Sequence, residues 1–224
     1  MIVVAGASTN GSGSASDFAV VRYNSDGTLD TSFGAGGSVV TDIRGYDDYG
    51  NSLAILSDGR IVVAGDSYGL VDRDFAVVRY NSDGTLDASF GVGGKVTTDV
   101  GAGDDDYAYA VGIQSDGKIV AAGPAGNGML SDFAVVRYNT DGTLDASFGA
   151  GGMIRTDSGS IDFANGLAIQ PDGRIVVAGY SYAGGAGGYG FAVLRYLVTA
   201  SAPDLAVSPV WPGKSRARHV HRHR

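Results

Sequence analysis

The chain has no cysteine and no glutamate among its 224 residues, and its three histidines all fall within the last six positions. The absence of cysteine excludes both a disulfide framework and a thiolate site. Glutamate, histidine and cysteine supply most general bases and nucleophiles, so residues 1–200 lack the usual means of acid–base or covalent catalysis. Every acidic residue is Asp, a turn former, which indicates turns and strands rather than helices.

Long apolar runs are missing as well. No stretch approaches the ~18 residues of a membrane span, and no signal peptide precedes the first strand-like segment, because Met1 runs directly into Ile2. The first of the repeat units begins halfway through. The alternatives are a cytoplasmic protein and a truncated piece of a longer exported one. We expect the second, with an extracellular or bacterial cell-surface location, which the Gly- and Asp-rich, cysteine-free composition also favours.

The charge is unevenly divided between the body of the chain and its C-terminal tail. Residues 1–200 carry 11 basic and 23 acidic side chains, a formal charge of −12, whereas the whole chain carries −8. A body this acidic argues against nucleic acid or an anionic membrane as partner.

A block of 57 or 58 residues recurs along the body. Its most constant segment, Phe-Ala-Val-Val-Arg-Tyr, stands at 18–23, 75–80 and 133–138, and returns with one change at 191–196. Self-similarity at such a period predicts an array in which each unit buries its apolar faces against its neighbours.

Each unit contains four short strand-like segments, labelled C, D, A and B in chain order. A tight Asp-Gly turn joins D to A, which predicts an antiparallel hairpin with a positive φ at the glycine. About 14 residues separate B from the next C, which suits a crossover between sheets. We therefore predict sheets of order C–D–A–B, with their boundaries in the Ser-Phe-Gly segments. In the second full unit the four strands are C at 94–99, D at 107–114, A at 118–122 and B at 132–138.

Four antiparallel strands followed by a crossover are typical of a β-propeller blade. The predicted fold is all-β, a propeller-like array of about three and a half blades in an incomplete ring. Its units are an opening half blade and three full blades, at 2–23, 38–80, 94–138 and 151–196.

The repeated string Asp-Phe-Ala-Val-Val-Arg-Tyr-Asn-Ser-Asp-Gly-Thr-Leu-Asp-x-Ser-Phe-Gly-x-Gly-Gly, followed by Val-x-Thr-Asp and Ser-Asp-Gly-Arg-Ile-Val-Val-Ala-Gly, resembles the delta-60 repeat of bacterial proteins. The resemblance covers residues 1–196. It implies a β-propeller-like array within longer, exported proteins, and it brings no activity and no catalytic residues.

The repeat stops after Tyr196, and residues 201–224 form a basic tail that we expect to be disordered. The tail holds Trp211, the only Trp of the chain. His219, His221 and His223 alternate there and are able to chelate zinc or nickel weakly, although an accidental arrangement is the preferred interpretation.

Two sets of aspartates resemble calcium ligands. The segment Asn24–Asp30 and its copies at 81–87 and 139–145 lack the first acid and the final Glu of an EF-hand, so we interpret them as turns. The loops between C and D carry a varying number of acids, of which the repeated one is predicted to cap a turn. These loop acids include Asp47, Asp48, Asp104, Asp105, Asp106 and Asp162. No metal or other cofactor is predicted, and a calcium site in these loops stays an alternative.

An arginine recurs inside strand B, at Arg22, Arg79, Arg137 and Arg195. We predict a repeated ion pair with an Asp of the neighbouring blade, such as that of the Thr-Asp segment, in preference to an anion-binding surface. The phenylalanines of the Ser-Phe-Gly segments are predicted to lie wedged between blades.

These observations predict a non-catalytic repeat scaffold for binding or surface interaction, with no catalytic, cofactor or metal residues. The partners left open are an unknown protein, a glycan and a second copy of the chain bound through unpaired terminal blades. The alternatives are a calcium-dependent propeller hydrolase or lyase, and a gene fragment without a function of its own.

Overall fold

All regular elements in the described part of the chain are β-strands. The computed structural model describes residues 1–9, 15–101, 103–127, 130–158, 161–182 and 188–197. The strands are β1 (Ile2–Thr9), β2 (Ser16–Tyr23), β3 (Ser38–Thr41), β4 (Asp48–Ile55), β5 (Ile61–Tyr68), β6 (Arg73–Tyr80), β7 (Lys95–Thr98), β8 (Ala110–Ile113), β9 (Ile119–Asn127), β10 (Leu130–Tyr138), β11 (Met153–Thr156), β12 (Ile161–Ile169), β13 (Ile175–Tyr182) and β14 (Tyr189–Tyr196).

The strands form four antiparallel sheets, called sheets I to IV here. Sheet I is β1-β2-β3, sheet II is β4-β5-β6-β7, sheet III is β8-β9-β10-β11 and sheet IV is β12-β13-β14. Sheets III and IV are joined by one parallel pair, Ser131 with Ile161. Within the described ranges no strand pairing links sheet I to sheet IV, so no closed ring forms. The prediction of an all-β, incomplete propeller-like array is therefore confirmed.

The predicted strand order C–D–A–B is wrong at strand C. Strand C pairs with the B strand that precedes it: β3 with β2, β7 with β6 and β11 with β10. The order in a complete sheet is D–A–B–C, and the boundaries between sheets lie in the acidic C–D loops rather than in the Ser-Phe-Gly segments. Sheets I to IV thus span 2–41, 48–98, 110–156 and 161–196, in place of the predicted blade limits.

The link between B and C is long because it folds on itself before it returns to the same sheet. The amide of Asn24 donates to the carbonyl of Thr28 at 2.8 Å, and that of Asp30 donates to the carbonyl of Arg22 at 3.0 Å. The amide of Arg22 donates in turn to the carbonyl of Gly37 at 2.9 Å, so both ends of the link lie beside strand B.

The D–A hairpin is as predicted. Strands β4 and β5 pair antiparallel from Asp48 with Ser67 to Ile55 with Ile61. The glycine of the connecting turn, Gly59, has a φ of +86°. Positive φ is the conformation that the Asp-Gly turn was expected to need.

Strands A and B are apolar on both faces, and in sheets II and III a neighbouring sheet covers each of the two faces. In β5, Ile61 and Val63 face sheet I, whereas Val62 and Ala64 face sheet III. β-Branched residues fit such a doubly packed surface. Three hydrophobic clusters, one at each junction between successive sheets, therefore replace a single central core.

The phenylalanines of the Ser-Phe-Gly segments are buried in these clusters, as predicted. Phe33 joins the cluster between sheets I and II, Phe90 that between II and III, and Phe148 that between III and IV. Each is almost completely excluded from solvent, so this loop covers the junction between its own sheet and the next.

Candidate functional site

The guanidinium of the repeated arginine in strand B forms its ion pair and hydrogen bonds within the array. The Nε atom of Arg79 lies 2.7 Å from Oδ2 of Asp87, and its Nη2 atom donates to the hydroxyl of Ser89 at 3.1 Å. Its Nη1 atom donates to the carbonyl oxygen of Thr140 in the next unit. The guanidinium also lies 4.6 Å from the centroid of the Phe90 ring, a cation–π contact.

The predicted ion pair with an aspartate of the neighbouring blade is wrong. The acid comes from the arginine's own unit, as Arg22 with Asp30 and Arg137 with Asp145 also show. The neighbouring unit contributes a backbone carbonyl, seen for Arg22 with Ser82. These buried arginines have their donors directed at protein oxygens, which argues against an anion-binding surface.

The Asn-Ser-Asp-Gly segments are turns, as predicted. Oδ1 of Asp26 accepts hydrogen bonds from the amide of Thr28 at 3.0 Å and from its hydroxyl at 2.7 Å. These bonds hold the pKa of the Asp26 carboxyl below its ordinary value. Asp83 and Asp141 repeat both bonds.

The structure also assembles three aspartates at each C–D loop, a grouping that the sequence interpretation missed. In each group, one carboxylate oxygen from every member lies within 4.8 Å of the others. We call the groups cluster 1 (Asp17, Asp42, Asp48), cluster 2 (Asp74, Asp99, Asp106) and cluster 3 (Asp132, Asp157, Asp162).

The sheet topology explains why these residues meet. Asp17 lies near the start of β2 and Asp42 directly follows β3, and the β2–β3 register pairs Phe18 with Thr41, so the two acids share one end of sheet I. The chain then crosses to sheet II and opens β4 with Asp48. The sequence signal was the constant 25-residue separation of the first two members of each cluster. This spacing did not indicate a contact between the two acids, because strand C was assigned to the wrong edge of the sheet.

The third member of each cluster caps the C–D loop, as predicted. Asp106 accepts three amide hydrogen bonds, from Val100 at 2.6 Å, Gly101 at 2.7 Å and Gly126 at 3.0 Å. Asp162 accepts one from the amide of Ser158 at 2.8 Å.

Asp48 is capped less completely, although it is fully buried. Its Oδ2 accepts a hydrogen bond from the amide of Ile43 at 2.7 Å, whereas none of the described groups donates to its Oδ1 with hydrogen-bond geometry, although the Ser67 hydroxyl lies close enough to lower the pKa of Asp48. Burial raises the pKa of the Asp48 carboxyl to about 6, and the negative charges of Asp42 and Asp17 add to this. Burial likewise raises the pKa of Asp106 to about 6.

Arginines neutralise part of the charge in clusters 2 and 3. Arg44 forms an ion pair with Asp74, and Nη2 of Arg155 lies 2.7 Å from Oδ2 of Asp132. None of the ion pairs seen in the described ranges involves a carboxylate of cluster 1. The three clusters thus share acids at equivalent positions but differ in their counter-charge.

Two further loop acids lie outside the clusters and bond to the backbone. Oδ1 of Asp47 accepts a hydrogen bond from the amide of Ser16 at 2.8 Å, and Oδ1 of Asp105 accepts one from the amide of Arg73 at 2.9 Å. Asp104 and Asp105 line a cleft of about 550 Å³ together with Tyr107 and Phe163.

The apolar faces at the two ends of the array are exposed. Phe18, Phe75 and Phe133 are 0% exposed, whereas Phe191 at the same position of the last unit is 56% exposed. Ile61 of β5 is 0% exposed, whereas its counterpart in β1, Ile2, is 52% exposed. Arg195 is exposed as well, unlike the other arginines of strand B.

The tail and its residues Trp211, His219, His221 and His223 lie outside the described residues. In the part of the chain that is described, no helix is of a length and hydropathy that would cross a membrane.

The repeating sheets and the interlocked junctions define a β-propeller-type repeat protein. A family model described as a β-propeller domain of unknown function, DUF5122, matches residues 1–33, 56–90, 114–148 and 170–198, which is more than half of the chain. The chain therefore belongs to this family. No curated protein matches it.

Proposed function

We propose that the protein is a non-catalytic repeat scaffold that binds macromolecules through the two exposed faces at the ends of its array. The observation that carries this proposal is the contrast between Phe191, which is 56% exposed, and its three buried counterparts. The absence of Glu, His and Cys from residues 1–200 supports a role in binding rather than catalysis.

The two end faces are the two halves of one interface. At the junction of sheets I and II, Phe18 and Val20 of one sheet pack with Ile61 and Val63 of the next. The last sheet presents Phe191 in the role of Phe18. The first sheet presents Ile2 in the role of Ile61. An end face of one chain therefore fits the opposite end face of another without a new kind of contact.

The occupant that we propose is another unit of this same repeat. In the isolated chain it comes from a second copy, which gives a head-to-tail interface that does not close on itself unless the rotation permits a ring. In a longer protein built of delta-60 repeats, further units of that protein would take the same place. The fragment hypothesis and the self-association hypothesis thus share one interface.

Sedimentation at a series of protein concentrations tests the proposal. The unaltered chain should form concentration-dependent assemblies, and Phe191→Asp should weaken them at least about tenfold, which corresponds to about 1.4 kcal/mol. Leu70→Ser is the matched control, because Leu70 is exposed in the loop between β5 and β6, away from both end faces. A chain that stays monomeric, or an equal effect of both variants, would contradict the proposal.

We also propose an extracellular or cell-surface location. The glycine- and aspartate-rich, cysteine-free composition supports it, and the acidic body supports protein or glycan partners over nucleic acid. A signal sequence and further repeats encoded next to this chain in genomic DNA are the expected findings. A complete cytoplasmic reading frame would count against the location.

A further inference from the structure

We propose that cluster 1, formed by Asp17, Asp42 and Asp48, binds one Ca²⁺ ion at the junction between sheets I and II. The other two clusters hold an arginine in place of the ion. The proposal concerns a site independent of the end faces.

The geometry of cluster 1 suits a calcium ion. One oxygen from each of the three carboxylates lies within 4.8 Å of the others. Ca²⁺ binds oxygen at ~2.3–2.6 Å, so two ligands on opposite sides of the ion stand roughly 4.6–5.2 Å apart. Mg²⁺ demands near-octahedral geometry and keeps several of its waters, so a cluster of protein carboxylates favours Ca²⁺. Carbonyl oxygens and water complete the coordination of Ca²⁺ in such sites.

A buried, unpartnered oxygen points independently to a ligand. Asp48 is completely buried, and its Oδ1 accepts no hydrogen bond of good geometry from the described part of the chain. The hydroxyl of Ser67, opposite Asp48 in the β4–β5 register, is also buried and lies close to this carboxylate. A buried carboxylate oxygen without a partner is costly, and a bound cation removes that cost.

Cluster 2 also contains a buried carboxylate oxygen without a hydrogen bond to a described residue, Oδ1 of Asp74, but there Oδ2 of the same carboxylate pairs with Arg44. The third members of the two clusters differ as well. At the equivalent position of cluster 2, Oδ1 of Asp106 accepts the amide of Gly126 at 3.0 Å. Both oxygens of Asp106 are therefore satisfied by the backbone, and the same residue in cluster 1 is satisfied at one oxygen only.

The counter-charges complete the argument. Arg44 follows Asp42 by two residues, yet it extends to Asp74 of cluster 2. The ammonium of Lys95 bonds to the backbone carbonyl of Asp42 at 3.1 Å rather than to a carboxylate. Among the described residues, cluster 1 thus concentrates three acids without an ion pair to a guanidinium, whereas clusters 2 and 3 each contain one.

A bound ion would tie two sheets together. Asp17 and Asp42 belong to one end of sheet I, and Asp48 opens the first strand of sheet II. Calcium would therefore stabilise the junction, since any ligand that binds the folded state alone raises its stability.

Calcium titration of the full chain tests the site by calorimetry and by thermal unfolding with and without chelator. We expect one Ca²⁺ per chain and a higher Tm with calcium. Asp42→Asn should abolish both, because Asp42 is an exposed cluster member whose loss leaves the buried packing intact. Asp99→Asn and Asp157→Asn are the matched controls at the same position of clusters 2 and 3, and both should keep the site. The histidines of the tail do not interfere, because calcium prefers oxygen ligands.

A second variant keeps the proposal testable if Asp42→Asn fails to fold. Asp48→Asn removes a buried charge, so without calcium it should be at least as stable as the unaltered chain. With calcium the order should reverse, because the variant has lost a ligand. The proposal is overturned if millimolar calcium produces no heat of binding and no change in Tm, or if Asp42→Asn binds calcium normally. It is also overturned if Asp42→Asn, Asp99→Asn and Asp157→Asn lose calcium binding equally.

Discussion

Tyr138 and Thr98 share a hydrogen bond of 2.8 Å between their hydroxyl oxygens, although they are 40 residues apart and belong to different sheets. Tyr138 ends strand B of sheet III and Thr98 ends strand C of sheet II. The same bond joins Tyr80 to Thr41 at 2.8 Å. This buried polar contact between two sheets therefore aligns strand B of one sheet with strand C of the sheet before it.

Removing this hydroxyl should weaken the fold measurably. Tyr138→Phe keeps the ring but leaves the buried Thr98 hydroxyl without its partner, so we expect a loss of about 0.5–1.5 kcal/mol in the free energy of unfolding. Denaturant unfolding followed by far-UV dichroism measures it. Tyr46→Phe, at an exposed tyrosine, is the control and should change little. Equal stability of Tyr138→Phe and the unaltered chain would show that the bond contributes nothing.

The glycine that ends Ile-Val-Val-Ala-Gly in β5 should not tolerate a side chain. A Cβ atom at Gly65 would lie 1.8 Å from the carbonyl oxygen of Tyr49, because β4 approaches closely at its β-bulge. Gly65→Ala must push β4 away from β5, so we expect destabilisation of about 1–3 kcal/mol or more.

The chain supplies its own control for that variant. Gly6 holds the same position in sheet I, which has no strand D in the described ranges, and a Cβ there meets no described atom within 4 Å. Gly6→Ala should leave the melting temperature nearly unchanged. Similar losses for both variants would mean that the close approach of strand D is not the reason for the glycine.

Acid should weaken the arginine junctions. Burial opposes ionisation of Asp87, but hydrogen bonds from Ser89 and Arg60 and the charge of Arg79 hold its pKa well below the ordinary value. A lowered pKa in the folded state contributes stability that is present above the ordinary value of ~3.9 and is lost as the pH falls below it.

The stability difference between the unaltered chain and Asp87→Asn should therefore shrink as the pH is lowered from neutrality to below about 4. Denaturant unfolding at several pH values measures this difference. A difference that stays constant across the range would contradict the lowered pKa of Asp87.

The strands, the D–A hairpin and the buried Ser-Phe-Gly phenylalanines could be predicted because each depends on local pattern. Alternating or doubly apolar segments and Asp-Gly turns carry their own signal. The position of strand C could not be predicted in this way. The length of the link between B and C suggested a crossover, whereas hydrogen bonds such as that from Asn24 to Thr28 fold the link back on itself.

That one error also concealed the aspartate clusters. The Thr-Asp and Asp-aromatic motifs were evident in the repeat, but Asp17 meets Asp42 only when β3 lies beside β2. Equally, sequence repetition alone did not distinguish cluster 1. Its difference depends on where Arg44 and Arg155 extend, which is a matter of side-chain geometry.

The central claim, that the end faces form one repeated interface, is tested most directly by chemical cross-linking. Because the chain has no cysteine, Val4→Cys and Val193→Cys place single thiols on the first and last faces. Their counterparts at the internal junctions include Val63 and Val20, which share one cluster. With a short thiol-reactive cross-linker, the double variant should form cross-linked dimers or larger species, and each single variant should stay monomeric, because head-to-tail association sets its thiol against an unaltered valine. A double variant that cross-links no more than the single variants would contradict head-to-tail association through these faces.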